Sequence, residues 1–179
     1  MHLRALGLVS ASAAFLACAH KPEVYPNDKF VLDTQHERIE ARIDPNGING
    51  TMIQLAQDQE GLNGAAFNQP VFLHFTSDRA SGLVANTPVD LTVQRQDQKL
   101  RARGIYTGAP VDLTVSPNEI SGIVRGCSYW LKRSESVFQG FRQCGFKKEQ
   151  EPTTVNLPRT LGSKSDPEKM AILAFFLSQ

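Results

Sequence analysis

The chain carries almost no net charge: 19 Lys and Arg against 18 Asp and Glu leave +1 at neutral pH. That balance supplies neither a basic surface for nucleic acid nor an acidic one for a cationic partner. Histidine is scarce, with four in 179 residues. His20, His36 and His74 are scattered without the spacing of a metal site, and His2 lies at the extreme N-terminus. The signatures of common chemistry are missing: no nucleophile elbow, no phosphate loop, no HExxH and no CxxC. No stretch past the N-terminus is long and apolar enough to cross a bilayer as a helix. The expectation is a protein that is not an enzyme and has no cofactor, no metal and no nucleic-acid partner.

Cysteine is also scarce, at three. The first, Cys18, closes a leader: Arg4 is a short positive region and Ala5 to Ala17 an apolar run. Phe15-Leu16-Ala17-Cys18 resembles the lipobox of bacterial lipoproteins, in which the cysteine becomes the lipidated N-terminus. The resemblance covers this segment alone. It implies a membrane anchor through lipid on Cys18 and, with Ala19 rather than Asp following, placement at the outer membrane. The competing reading is cleavage after Ala19 at Ala17-Cys18-Ala19, which releases a soluble periplasmic or secreted protein. Either way Cys127 and Cys144 remain as an even pair in an oxidising compartment, where a disulfide is the default.

The body of the chain is a repeat. An alternating strand, a polar break and a second strand built around a glycine recur at Gly50, Gly64, Gly82, Gly104, Gly122 and Gly140. Strand side chains alternate with period two, so each copy reads as a hairpin with one apolar face. In the clearest copy Val115 pairs with Ile120, Leu113 with Gly122 and Val111 with Val124. The same register pairs Val71, Leu73 and Phe75 with Val84, Gly82 and Ala80. It also pairs Ile39, Ala41 and Ile43 with Met52, Gly50 and Ile48. Val89, Leu91 and Val93 meet Tyr106, Gly104 and Ala102 across a longer loop, which accounts for the widest glycine spacing. The unit around Gly64 fits the template least well. The glycines leave room for the leucines opposite them or mark a bend. Asn68-Gln69, Asn86-Thr87, Gly108-Ala109 and Gly126-Cys127 are candidate two-residue turns between hairpins. Carried to the last unit, the register sets Leu131 opposite Gly140 and Cys127 opposite Cys144, near enough to bridge.

Residues 147–165 read as linker and loop. Asp166-Pro167-Glu168 starts a helix, with Asp166 as N-cap or with Ser165 and Glu168 as a capping box. Met170 to Leu177 is apolar on every side, the pattern of a buried helix. The predicted organisation is a leader and lipobox at 1–18, a linker at 19–29, a hairpin domain at 30–146, the loop at 147–165 and a helix at 166–178 packed on that domain. The fold class is mainly β: an antiparallel meander of ten to twelve short strands, closed as a barrel or folded as a two-layer sheet, with a C-terminal α-helix. A transmembrane barrel is set aside, since its strands need about 9–11 residues.

Asp90 and Asp112 are repeat equivalents on the outward face, read as solubilising rather than acid–base groups. His74 lies on the same outward face. The candidate ligand surface is apolar: Tyr129, Trp130, Phe138 and Phe141 beside the predicted disulfide, with Met170, Leu173, Phe176 and Leu177 of the helix. Two functions remain open. One is a non-catalytic envelope lipoprotein acting as a structural or protein-interaction module. The other is a periplasmic carrier or chaperone that holds a hydrophobic ligand between sheet and helix. A filled apolar interior argues for the first; a large cavity argues for the second.

Overall fold

A computed structural model describes residues 28–145 and 149–179. The leader, Cys18, the cleavage site at Ala19 and nearly all of the 19–29 linker lie outside them. The first strands are β1 (Lys29–Thr34), β2 (Arg38–Asp44), β3 (Gly47–Gly50), β4 (Ile53–Gln57) and β5 (Gly61–Ala66). Next come β6 (Gln69–Phe75), β7 (Arg79–Val84), β8 (Thr87–Gln96), β9 (Lys99–Tyr106) and β10 (Ala109–Val115). The last are β11 (Glu119–Val124), β12 (Cys127–Ser134), β13 (Val137–Cys144) and β14 (Glu151–Asn156). A short 3-10 turn at Arg159–Ser163 leads into α1 (Asp166–Leu177). Every strand pairs antiparallel with its sequence neighbours, and β1 pairs with β14, so the fourteen strands form a closed barrel.

The hairpin register is the one the repeat encodes. Leu113 faces Gly122, Leu73 faces Gly82, Leu91 faces Gly104 and Leu131 faces Gly140. Leu55 faces Gly64 as well, so the unit that fits least well on paper keeps the register in space. Cys127 faces Cys144 and the two form a disulfide. The inward row of each strand joins one continuous core, while the outward row meets solvent.

Several expectations are corrected. There are fourteen strands rather than ten to twelve, and the 147–165 segment is not all linker. It contains β14, whose inward Thr153 and Val155 are buried. β14 is polar and carries Pro152 outward, so its alternation is weak. It is a strand because β1 and β13 both lack a partner without it, and closure leaves no bare edge. The long loop expected between Val93 and Ala102 is strand: β8 and β9 extend until Gln96 meets Lys99. Met52 does not pair with Ile39; it sits exposed in the turn after β3, and Ile39 pairs with Leu32 of β1. The turns lie one residue earlier than expected. Both central residues have positive φ: Phe67 (52°) and Asn68 (60°), Ala85 (53°) and Asn86 (59°), Arg125 (50°) and Gly126 (80°). That is the I′ geometry, whose twist matches the flanking strands.

The glycines answer to backbone, not to leucine side chains. At Gly122, with φ of 129°, a Cβ would lie 2.0 Å from the carbonyl oxygen of Asp112 on the neighbouring strand. Only a residue without Cβ lets the two strands bend together this closely.

α1 runs through the lumen. Its first turn meets one end of the barrel, here the N end, where Arg95 donates two hydrogen bonds to Asp166. Lys164, just ahead of the helix, donates to the Pro45 carbonyl at the same end (3.2 Å) and pairs with buried Glu168 (2.9 Å). Its last turn meets the opposite C end, where Tyr129 donates to the Leu177 carbonyl. Twelve residues rise about 18 Å. Ser165 is the N-cap, but no side-chain capping bond forms; Asp166 is engaged by Arg95 and Lys169, and Glu168 by Lys164. Met170 to Leu177 are at most 3% exposed, and Phe176 stacks on Phe30 with ring centres 4.0 Å apart. The helix completes the core that the inward row of the strands begins.

Candidate functional site

The eight residues of the predicted apolar surface do not form one site. The barrel wall divides them. Tyr129 and Phe138 face inward and are buried with Met170, Leu173, Phe176 and Leu177. Trp130 and Phe141 face outward, directly opposite each other, at 49% and 46% exposure. The division follows from the strand period: Trp130 alternates with Tyr129 and Leu131, so it must take the other face.

Inside, the polar groups of the C end lock the helix to the wall. Arg142 is buried and donates to Glu151 (2.7 Å) and to the Gln179 backbone carbonyl (3.1 Å). Burial alone would raise the Glu151 carboxyl; the hydrogen bond and charge of Arg142 outweigh it and hold the group below its usual value. Burial pushes the Tyr129 and Tyr106 phenols upward. The two tyrosines differ in one respect: the Tyr129 hydroxyl donates a hydrogen bond to the Leu177 carbonyl, while the Tyr106 hydroxyl is buried without a partner among the described residues.

Outside, the repeat produces a second pattern. The residue after each of four template glycines points outward and is large and apolar: Leu83, Ile105, Ile123 and Phe141. Cross-strand neighbours extend the row. Leu83 lies between Phe72 and Pro88, Ile105 faces Pro110, and Phe141 lies between Trp130 and Pro152. Ile123 sits diagonally from Trp130, within reach of an aromatic ring. The aromatic end of the row is Ile123, Trp130, Phe141 and Pro152 over β11 to β14. Phe72, Leu83, Ile105 and Ile123 escaped the sequence reading. For Leu83, Ile105 and Ile123 the signal was present in the position following the glycine, and for Phe72 in the alternation of β6, but attention to the buried face passed over it.

The rest of the wall is polar and paired. Arg79 donates two hydrogen bonds to Asp90, and Arg101 does the same to Asp112 at 2.8 and 2.7 Å. Those hydrogen bonds, with the guanidinium charge, lower both carboxyl pKa values. The repeated aspartates are thus rungs of a salt-bridge ladder, each carboxylate taken up by an arginine of the neighbouring strand. His74 is exposed, its Nδ1 2.6 Å from the Glu60 carbonyl oxygen. Among the described residues no group of three His, Cys, Asp or Glu is arranged to hold a metal ion. With an apolar lumen and Arg, Asp and Glu on the outer wall, the polarity is opposite to that of a barrel with lipid outside and water inside.

Comparison with known proteins finds no matching family model, no similar curated protein and no similar solved structure.

Proposed function

We propose that the protein is a non-catalytic cell-envelope lipoprotein that acts as a structural, protein-interaction module. In this reading Cys18 carries the lipid, the outer membrane holds the anchor, and the barrel presents its outer wall to a protein partner. The observation that carries it is the plugged lumen beside the exposed aromatic patch. The chain's own helix occupies the middle of the lumen, the space a fully enclosed ligand would need, while Trp130 and Phe141 stand in solvent. Exposed apolar patches of this kind mark interaction sites, and Trp is enriched among the residues that dominate binding energy. The filled interior also weighs against the carrier reading.

The test uses a photo-crosslinking residue at position 130 and another at position 94, on the polar wall, in a Gram-negative host. A discrete adduct with one envelope protein from position 130 alone supports the proposal. Equal, diffuse labelling from both positions refutes it. Mass spectrometry of the mature N-terminus tests the anchor: a diacylglyceryl mass on Cys18 is expected, and an unmodified chain starting at His20 would end that part of the reading.

A further inference from the structure

At the N end, where α1 enters the lumen, the plug does not fill the mouth. A cavity of about 420 Å³ opens between the rims of β9, β10 and β12, the 3-10 turn and the first turns of α1. Its size is within the range of small-molecule sites, about 300–1,000 Å³, and barrel mouths are a recurrent place for them. Its floor is apolar: Leu100, Val115, Leu157, Leu161 and Leu173. Leu100, Leu161 and Leu173 belong to the main core and are at most 7% exposed, so the accessible part of the floor is the half-buried pair Val115 and Leu157 packed over them.

The rim has one sign of charge. Among the described residues, Arg95, Arg133, Arg159 and Lys169 line the cavity, and no carboxylate does. Asp166, just outside, takes Arg95 and Lys169 together. Arg133 donates only to the backbone carbonyls of Glu135 and Pro117 and lies over the Phe138 ring. Arg159 is exposed and has no carboxylate partner among the described residues. Among the described residues Asp166 is the carboxylate that pairs with this group, which leaves about three positive charges around the apolar floor. This is unusual for the chain, whose total charge is +1 and whose other outward arginines are mostly paired.

We propose that this mouth is a binding site for a small amphipathic anion: a carboxylate or phosphate head held by Arg133 and Arg159, with a short apolar chain laid on Val115 and Leu157 above the core leucines. Guanidinium groups suit both heads because their paired donors match two oxygens of either. The site is separate from the outer aromatic patch and independent of it.

The probes are decanoate and decyl phosphate below their micelle concentrations, titrated by calorimetry into the mature, disulfide-bonded chain. Decanol and decyltrimethylammonium serve as neutral and cationic controls. Saturable 1:1 binding of the anions is expected, weakening as salt shortens the screening length from about 10 Å at 0.1 M to about 3 Å at 1 M. The double substitution Arg133→Glu, Arg159→Glu involves two exposed side chains and should lower the melting temperature only slightly, through the lost Arg133 contacts with Glu135, Pro117 and Phe138. It should weaken binding at least about tenfold, the equivalent of roughly 1.4 kcal/mol. Trp130→Ser should leave binding intact. Three results overturn the proposal: equal binding of the cationic amphiphile, binding retained in the double variant but lost in Trp130→Ser, or binding to phosphatidylglycerol vesicles with none to the monomeric anions.

Discussion

The substitution Gly122→Ala separates two accounts of the repeated glycines. If each glycine makes room for the leucine side chain opposite, the cost of a methyl group falls on Leu113 and disappears when Leu113 is shortened. The structure locates the collision elsewhere, at the Asp112 carbonyl oxygen, 2.0 Å from the added Cβ, with φ at 129°. A non-glycine residue in that region costs about 1–3 kcal/mol. Moving the Asp112 backbone away disturbs a ladder hydrogen bond, worth about 1 kcal/mol more. The expected loss is about 2–4 kcal/mol, a large share of the roughly 5–15 kcal/mol typical of a folded domain. Urea unfolding at pH 7 measures it, with Gly162→Ala as a control. Gly162 has no positive φ and nothing within 4 Å of the added atom, so its change should stay within about 0.5 kcal/mol. The decisive measurement is the cycle with Leu113→Ala, which alone removes a buried side chain and costs about 2–5 kcal/mol. A backbone collision gives near-additive losses, within about 0.5 kcal/mol. Recovery of more than about 1 kcal/mol in the double variant, or a Gly122→Ala loss below that size, refutes the reasoning.

Three further outcomes are expected. Replacing Cys127 and Cys144 by Ser opens a loop with sequence separation 17 and should lower stability by about 3 kcal/mol, matched by adding reductant to the parent chain. Tyr129→Phe removes the bond to the Leu177 carbonyl and should cost about 1–2 kcal/mol in thermal unfolding, whereas Tyr106→Phe removes a buried hydroxyl without a partner and should be neutral or stabilising. The Glu151 carboxyl is held below its ordinary value near 4.5 in the folded chain, so its contribution is complete above that pH and fades as acid brings the pH down through the depressed folded value. Glu151→Gln should therefore cost about 1–2 kcal/mol at pH 7 and flatten the acid limb of a stability–pH profile. A parallel shift of the whole profile would contradict the pairing with Arg142.

Much of the wall was legible because hairpin partners are close in sequence. Leu113 and Gly122, or Cys127 and Cys144, are set opposite each other by alternation and one short turn. The same logic failed where sequence contrast was weak. β14 is mostly polar and has no glycine, so nothing local marks it as a strand. Gln94 to Arg101 is polar and reads as loop, although continued pairing of β8 with β9 satisfies its backbone. Phe67, Ala85, Thr107 and Arg125 take positive φ in turns, where asparagine and glycine beside them had suggested a register one residue later. The candidate site was half legible. Period two places Trp130 and Tyr129 on opposite faces, yet grouping them as one aromatic cluster overlooked it.

The amino-acid order by itself determined the repeat, the hairpin registers, the disulfide and the presence of a terminal apolar helix. All depend on residues near one another along the chain or on the composition of one segment. The tertiary structure alone decided that the sheet closes, through β1 and β14, which are separated by most of the chain. It also decided that α1 lies within the barrel rather than against one face, which fills the lumen. Alternation distinguishes two faces of a strand, but it carries no information about curvature. Which face becomes the inside depends on where the apolar helix and the inward row can bury each other most completely, and that is a property of the whole assembly.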